Sequence, residues 1–328
     1  MKRSEFIRQL SSAFIAFHIP VAFGKLPRTF NKKFKIGLIA DLHQDIMHDG
    51  QNRLEVFLKS VEAERPDAIM QLGDFAYPSE KNQHIINRFN QAHANALHVI
   101  GNHDTDNGHT KEACIRVWGM PARYYTKTLN GIKLIVLDGN DKGSPTHKGG
   151  YPAFIGAEQA NWLKSELEKT EDPVVIISHQ PLAGPAAIDN AKEIQDILSP
   201  AASKILLAIN GHTHIDTAVT LGGITYVHIN SASYFWAGKK YKHNSYAEAV
   251  HKDHPWIAYT FPYQTSLFTF LEVDPMTSSI KILGKKSHWQ GDSPASLGYK
   301  ENNLTVGNEV IPRITARNIH KQTAKIPS

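Results

Sequence analysis

Five short polar clusters, each following directly on an apolar run, carry residue types that hold metal ions. IADLHQD offers Asp41 and His43, QLGDFAY offers Asp74, and VIGNHDTD offers Asn102, His103 and Asp104. IISHQP adds His179, and INGHTHID adds His212 and His214. One Asp-x-His or one Gly-Asp means little, because such pairs also make ordinary turns. The ordered set is another matter. Carboxylates, imidazoles and a carboxamide, with no thiolate among them, suit borderline to hard divalent ions such as Mn, Fe, Zn, Co or Ni. So many candidate ligands are too many for one ion, so two are expected. A bridging carboxylate holds such a pair roughly 3.5–4 Å apart, the spacing that clamps a phosphoryl group and activates a water.

These clusters need elements that deliver them to one place. The apolar runs KIGLIA (35–40), DAIMQLG (67–73), LHVIG (97–101), KLIVLDG (133–139), PVVIISH (173–179) and SKILLAIN (203–210) read as buried strands. Helices are predicted between them: after Gln51, with Leu54, Phe57, Leu58 and Val61 on one face and a stop at Pro66; over 79–96; around 109–118; over 156–170; and over 191–200. Strand and helix alternate to about residue 210 and a β-rich stretch follows, which gives one layered α/β domain over 33–285. In open α/β sheets ligands gather beyond the carboxyl ends of the strands, where all five clusters fall. Gly73, Gly101 and Gly211 permit sharp strand-to-loop turns, and His212 and His214 are predicted to share one side of an extended step.

Residues 233–264 interrupt the β pattern with nine aromatics, a lid or binding wall by one reading and plain packing by the other. Tyr234, Trp236 and Trp256 could stack a base or cover an organic group. Lys239, Lys240, Lys242 and His243 could meet phosphate. Residues 286–328 form a tail with weak structural signals, docked or loose.

The chain has 328 residues and a net charge of +5, with 36 basic against 31 acidic residues. After the first thirty residues no apolar stretch is long enough for a membrane span, so a multi-span protein is excluded. No basic block suggests a nucleic-acid arm. The only cysteine, Cys114, rules out an internal disulfide and a thiolate zinc cluster, and it reads as a small buried apolar residue. Residues 1–32 form a leader with a basic start and an apolar stretch from Ala13 to Phe23. Two readings stand: an export signal with a degenerate twin-arginine pattern, or an amphipathic helix packed on the domain. Exported and cytoplasmic locations both remain open.

Asp41-x-His43, Gly73-Asp74, Gly101-Asn102-His103-Asp104, His179 and Gly211-His212-x-His214 together resemble the signature of the calcineurin-like metallophosphoesterase superfamily. The resemblance covers about residues 35–230. It implies a layered sandwich of two mixed β-sheets flanked by helices. It implies that Asp41, His43 and His214 hold one metal, that Asn102, His179 and His212 hold the other, and that Asp74 bridges them. His103 would contact the phosphate and protonate the leaving oxygen, with Asp104 orienting it. The implied reaction is attack of a metal-bound hydroxide on a small organic phosphate mono- or diester. A nuclease or a metal-free scaffold are the alternatives; the complete ligand set argues against the scaffold, and no nucleic-acid partner is favoured. GDFAY also fits the Gly-Asp-x-x-Tyr block of purple acid phosphatases, whose tyrosine binds iron. Those enzymes lack a histidine at the place of His43, so Tyr77 is read as wall or packing. Asp45, His48 and Asp49 could contact substrate or support the ligands, or form a solvated loop.

Overall fold

The computed structural model describes residues 32–320 apart from 275, 276 and 278. The expected leader falls outside these residues except for Lys32. Strands β1 (Phe34–Ile39), β2 (Ala68–Gln71) and β3 (Ala96–His98) run parallel, joined by helices α1 (Gly50–Glu64) and α2 (Gln83–Gln91). After α3 (Lys111–Trp118), β4 (Tyr125–Leu129) and β5 (Ile132–Val136) form a hairpin. Helix α4 (Ala157–Glu168) leads to β6 (Val174–Ser178), and α5 (Ala191–Leu198) leads to β7 (Ile205–Asn210). A second hairpin, β8 (Thr217–Leu221) and β9 (Ile224–His228), follows, with β9 parallel to β7. Strands β10 (Tyr234–Trp236) and β11 (Thr260–Pro262) pair around α6 (Glu248–Asp253). The chain then returns through β12 (Thr269–Asp274), antiparallel to β1, and β13 (Ser279–Ile282), antiparallel to β12. Finally β14 (Lys285–Lys286) pairs with β15 (Arg313–Ile314), and β16 (Arg317–His320) closes on β13.

Two six-stranded mixed sheets result, ordered β16-β13-β12-β1-β2-β3 and β4-β5-β6-β7-β9-β8. Alternate residues of the second sheet go to different cores. Leu134, Val136, Val175 and Ile177 join Leu38, Met70 and Leu271 of the first sheet in one cluster, while Ile135 and Ile176 meet Leu163, Leu167, Ile194 and Leu198 of α4 and α5. A strand covered on both faces needs apolar residues at every position, which is why β6 and β7 read as unbroken hydrophobic runs. This is the expected sandwich flanked by helices. Among the described residues no helix is long and apolar enough to cross a membrane.

Three details differ from the sequence reading, and a fourth decides between its two readings of the insert. The helix expected over 79–96 ends at Gln91, because Asn95 is already drawn into the sheet: its carbonyl accepts from Ile69 N–H at 3.0 Å. Strands β4 and β8 were not anticipated; each is made mostly of exposed and partly buried residues and lacks an apolar run. The 233–264 insert is no open loop, since Tyr234, Phe235, Phe261 and Tyr263 are buried in the core. The boundary at 285 cuts through β14, and β16 supplies the edge strand of the first sheet, so residues up to 320 belong to the sandwich.

Candidate metal centre

The loops after β1, β2 and β3 from one sheet and after β6 and β7 from the other converge at one rim. Two tight groups form there: Asp41, His43 and His214, and Asp74, His179 and His212. In the first group, His214 Nε2 is 3.2 Å from Asp41 Oδ1 and 3.2 Å from His43 Nε2. In the second, His179 Nε2 is 3.2 Å from Asp74 Oδ2, 3.1 Å from Asn102 Oδ1 and 3.3 Å from His212 Nδ1. Asp74 Oδ2 also lies 3.7 Å from His43 Nε2, so one carboxylate oxygen faces both groups. All seven side chains expected as ligands are together.

Backbone and tautomers are prepared for this. Asp41, His43, Asp74, His212 and His214 all have φ between 49° and 68°, the left-handed region that costs non-glycine residues energy and concentrates at functional sites. His212 and His214 are therefore not on an extended step as expected; the tight left-handed turn is what aims them at different groups. Gly101 is required by space, since a Cβ there would lie 2.2 Å from Asp74 Oδ1. His179 Nδ1 donates to Leu72 O at 2.8 Å and His214 Nδ1 donates to Tyr234 O at 2.8 Å. A carbonyl can only accept, so in the neutral form of each ring the lone pair lies on Nε2, the atom that faces its group.

The donor chemistry fits cations. Oxygen and nitrogen acceptors point at common centres, with Asp41 and Asp74 supplying negative charge. Burial alone would depress the His179 imidazole, yet Asp74 outweighs it and lifts it to about 9, so positive charge is favoured at that point. Burial and the neighbouring His179 push His212 down to about 3, which keeps it neutral and able to ligate.

Asp104 does not orient His103. Its carboxylate accepts from the N–H groups of Gly101, Asp74 and Phe75 at 2.7, 2.8 and 2.8 Å, clamping the loops that carry Asp74 and Asn102. The partner of His103 is Asp106, with 2.7 Å between His103 Nδ1 and Asp106 Oδ2. Tyr151 donates its hydroxyl to the same Asp106 oxygen at 2.8 Å. The His103 N–H in turn donates to Asp74 Oδ1 at 2.8 Å, which fixes the unused oxygen of the shared carboxylate. Asp45 is not in a solvated loop, for it accepts from Tyr77 N–H at 2.7 Å and from Asn82 Nδ2. Ser231 and Ser233 also escaped the sequence reading; they donate to the carbonyls of Asp41 and Leu42 and brace the first ligand loop. Cys114 is free and buried, as expected.

Beside the two groups opens a cavity of about 1030 Å³, lined by His103, Asp106, Tyr151, Tyr234, Trp236 and Trp256 among others. Tyr234 stacks on His43 at 5.0 Å, and Trp236 is exposed to the cavity. Lys239 and His243, expected as substrate contacts, do not line it; the His243 ring packs on Phe261 at 4.8 Å. Lys240 pairs with Glu301, and Lys242 sits 5.3 Å over the Tyr259 ring. Tyr77 lines the cavity near His109, and burial together with Asp106 pushes its hydroxyl up to about 12.

Residues 34–216 match the calcineurin-like phosphoesterase family. The chain belongs to that family. No curated protein matches it by sequence. Among solved structures, a dimetal phosphatase from Danio rerio is similar, with a TM-score of 0.54 at 14% identity over 79% of this chain and 99% of that one. GAP50, the anchor in the inner membrane complex of Plasmodium, is similar with a TM-score of 0.54 at 17% identity, over 89% and 90% of the two chains. Purple acid phosphatase PPD1 from yellow lupin gives 0.51 at 11% identity, over 80% and 52%. At these identities the likeness is one of fold.

Proposed function

We propose that this calcineurin-like phosphoesterase hydrolyses a small organic phosphate mono- or diester. Asp41, His43 and His214 would hold one divalent cation and Asn102, His179 and His212 a second, with Asp74 shared. Such a pair, when bound, activates a water and neutralises charge on the phosphate oxygens. The chain's own part is positional. Asp74 is fixed through its second oxygen by the His103 N–H. His103, held at Nδ1 by Asp106, lines the cavity and is the group suited to give a proton to the departing oxygen. The reading rests on one observation above the rest: Asp74 Oδ2 faces both ligand groups. A small substrate is favoured over nucleic acid because, among the described residues, no lysine or arginine lines the cavity.

The test is hydrolysis of p-nitrophenyl phosphate and bis-p-nitrophenyl phosphate by stripped protein resupplied with manganese, iron or zinc. Two equivalents of metal and metal-dependent turnover are expected, and Asp74→Asn should lower kcat/KM by about a thousandfold or more. Protein that takes up two metals and leaves both esters intact would refute the reading.

A further inference from the structure

Among the described residues, the large apolar side chains left exposed are Val56, Tyr151, Leu221, Trp236 and Trp256. Three of these five, Tyr151, Trp236 and Trp256, line the large cavity beside the ligand groups. Trp256, at 57% relative exposure, is the most open of all. Exposed tryptophans gathered at a concave site mark a surface kept uncovered for something to bury.

The rings are not scattered. His43 stacks on Tyr234 at 5.0 Å, Tyr234 meets Trp236 at 6.4 Å, Trp236 stacks with Tyr259 at 6.2 Å and 21°, and Tyr259 meets Trp256 at 5.4 Å. A track of aromatic rings thus runs from a ligand histidine to the exposed end of the cavity. Asn302, Asn303 and Leu304 line the same cavity. They are carried there by a C-terminal segment whose Glu301 pairs with Lys240 and whose Tyr299 packs on Tyr241 at 4.9 Å. The charge pattern narrows the ligand further. Among the described residues, the only charged ones that line it, histidines aside, are Asp45, Asp74 and Asp106. A second anionic group on the substrate would find no lysine or arginine to meet it, only carboxylates.

We infer that Trp236 and Trp256 form a leaving-group subsite, and that the substrate is an ester of a single phosphate whose organic part is flat, aromatic and uncharged. This rests on the phosphoesterase reading and deepens it. The phosphate sits at the ligand groups while the arene lies along the tryptophans, where stacking is strong and tolerant of the identity of the ring. Lys240, paired with Glu301, and Lys242, laid over Tyr259, take no part, and Lys239 does not line the cavity.

The experiment compares 2-(1-naphthyl)ethyl phosphate with propyl phosphate, whose leaving alcohols are of similar basicity, on the manganese-loaded full chain. Wild type should favour the arene by about tenfold or more in kcat/KM, chiefly through KM, and Trp236→Ala/Trp256→Ala should abolish that preference while changing propyl phosphate less than about threefold. Both residues are exposed, so folding is not at risk, and circular dichroism checks it. A second readout needs no turnover. Calorimetric binding of 2-(1-naphthyl)ethylphosphonate should weaken about tenfold in the double variant, and that of propylphosphonate should not change. A third substrate, 4-phosphooxybutanoate, should be poorer than propyl phosphate, and a preference for it would overturn the uncharged part. Equal binding of the two phosphonates by wild type, or an arene preference that survives in the double variant, would overturn the subsite. If the phosphonate result is as expected and neither ester is hydrolysed, the subsite stands and it is the hydrolase reading that fails.

Discussion

His103 shows how much one residue of spacing matters. Asp104 is its neighbour in sequence, but the turn that begins at His103 is a 3-10 helix with three residues per turn, so position 106 returns to the side of position 103. Asp104 instead faces inward and is consumed by three backbone N–H groups. A histidine that gives up a proton needs Nδ1 held by an acceptor, and Asp106 supplies it at 2.7 Å. Asp106→Ala should therefore lower kcat about tenfold to a hundredfold on an alkyl phosphate, whose alkoxide must be protonated as it leaves. On p-nitrophenyl phosphate, whose leaving group needs no proton, the loss should be slight, with metal content unchanged. Equal losses on both substrates would assign Asp106 a merely structural role. The seven candidate ligands were legible because their chemistry is explicit in residue type and each follows an apolar run. Asp106 was visible as an aspartate, but its partner was hidden by local backbone geometry. Tyr151 comes from an irregular loop with no periodic signal.

At the scale of elements, the sequence revealed what is buried on both faces and hid what is not. Strands β5, β6 and β7 are apolar at nearly every position. Strands β4 and β8 carry little apolar weight, yet each is the partner in a hairpin. The turns had a signal that was overlooked: Asn130-Gly131 and Gly222-Gly223 all have positive φ, the two-residue turns whose twist suits a hairpin. The C-terminal strands have two to four residues each and no pattern of their own. Their place is set by long-range polar contacts, chiefly to Asp216, only two residues past the ligand His214. Buried Asp216 accepts from Arg317 at 2.7 Å, from the Thr315 N–H at 3.0 Å and from the Thr315 hydroxyl. Its own N–H donates to Glu309 O at 3.0 Å. Asp216→Ala would leave the guanidinium of Arg317 without its carboxylate and free the segment that carries β15 and β16. A loss of about 2–4 kcal/mol in stability to denaturant is expected, somewhat below that of a fully buried ion pair because Arg317 is partly open to water. An unchanged midpoint would show that β16 is held by its ladder to β13 alone.

For the whole molecule, the decisive feature is where the ligands come from. Asp41, His43, Asp74 and Asn102 follow strands of the first sheet, and His179, His212 and His214 follow strands of the second. Each ligand group contains members from both sheets. Without cations the rim of the sandwich gathers imidazoles and carboxylates in close, largely buried contact, an arrangement that favours positive charge between them. Cations bound there would bind the folded chain and not the unfolded one, since unfolding scatters ligands separated by as many as 173 positions between Asp41 and His214. A site saturated at a hundred times its Kd stabilises by about 2.7 kcal/mol, and two such sites by about twice that. For a chain of this size the chelated protein should therefore melt on the order of 10 °C below the manganese-loaded one. His214→Ala, which disables one group, should retain about half of the difference, whereas a surface change such as Val56→Ala should retain all of it. Calorimetric melting with and without EDTA reads this directly. If the melting temperature is the same in both conditions, the two groups do not tie the sheets together, and the centre contributes to chemistry alone.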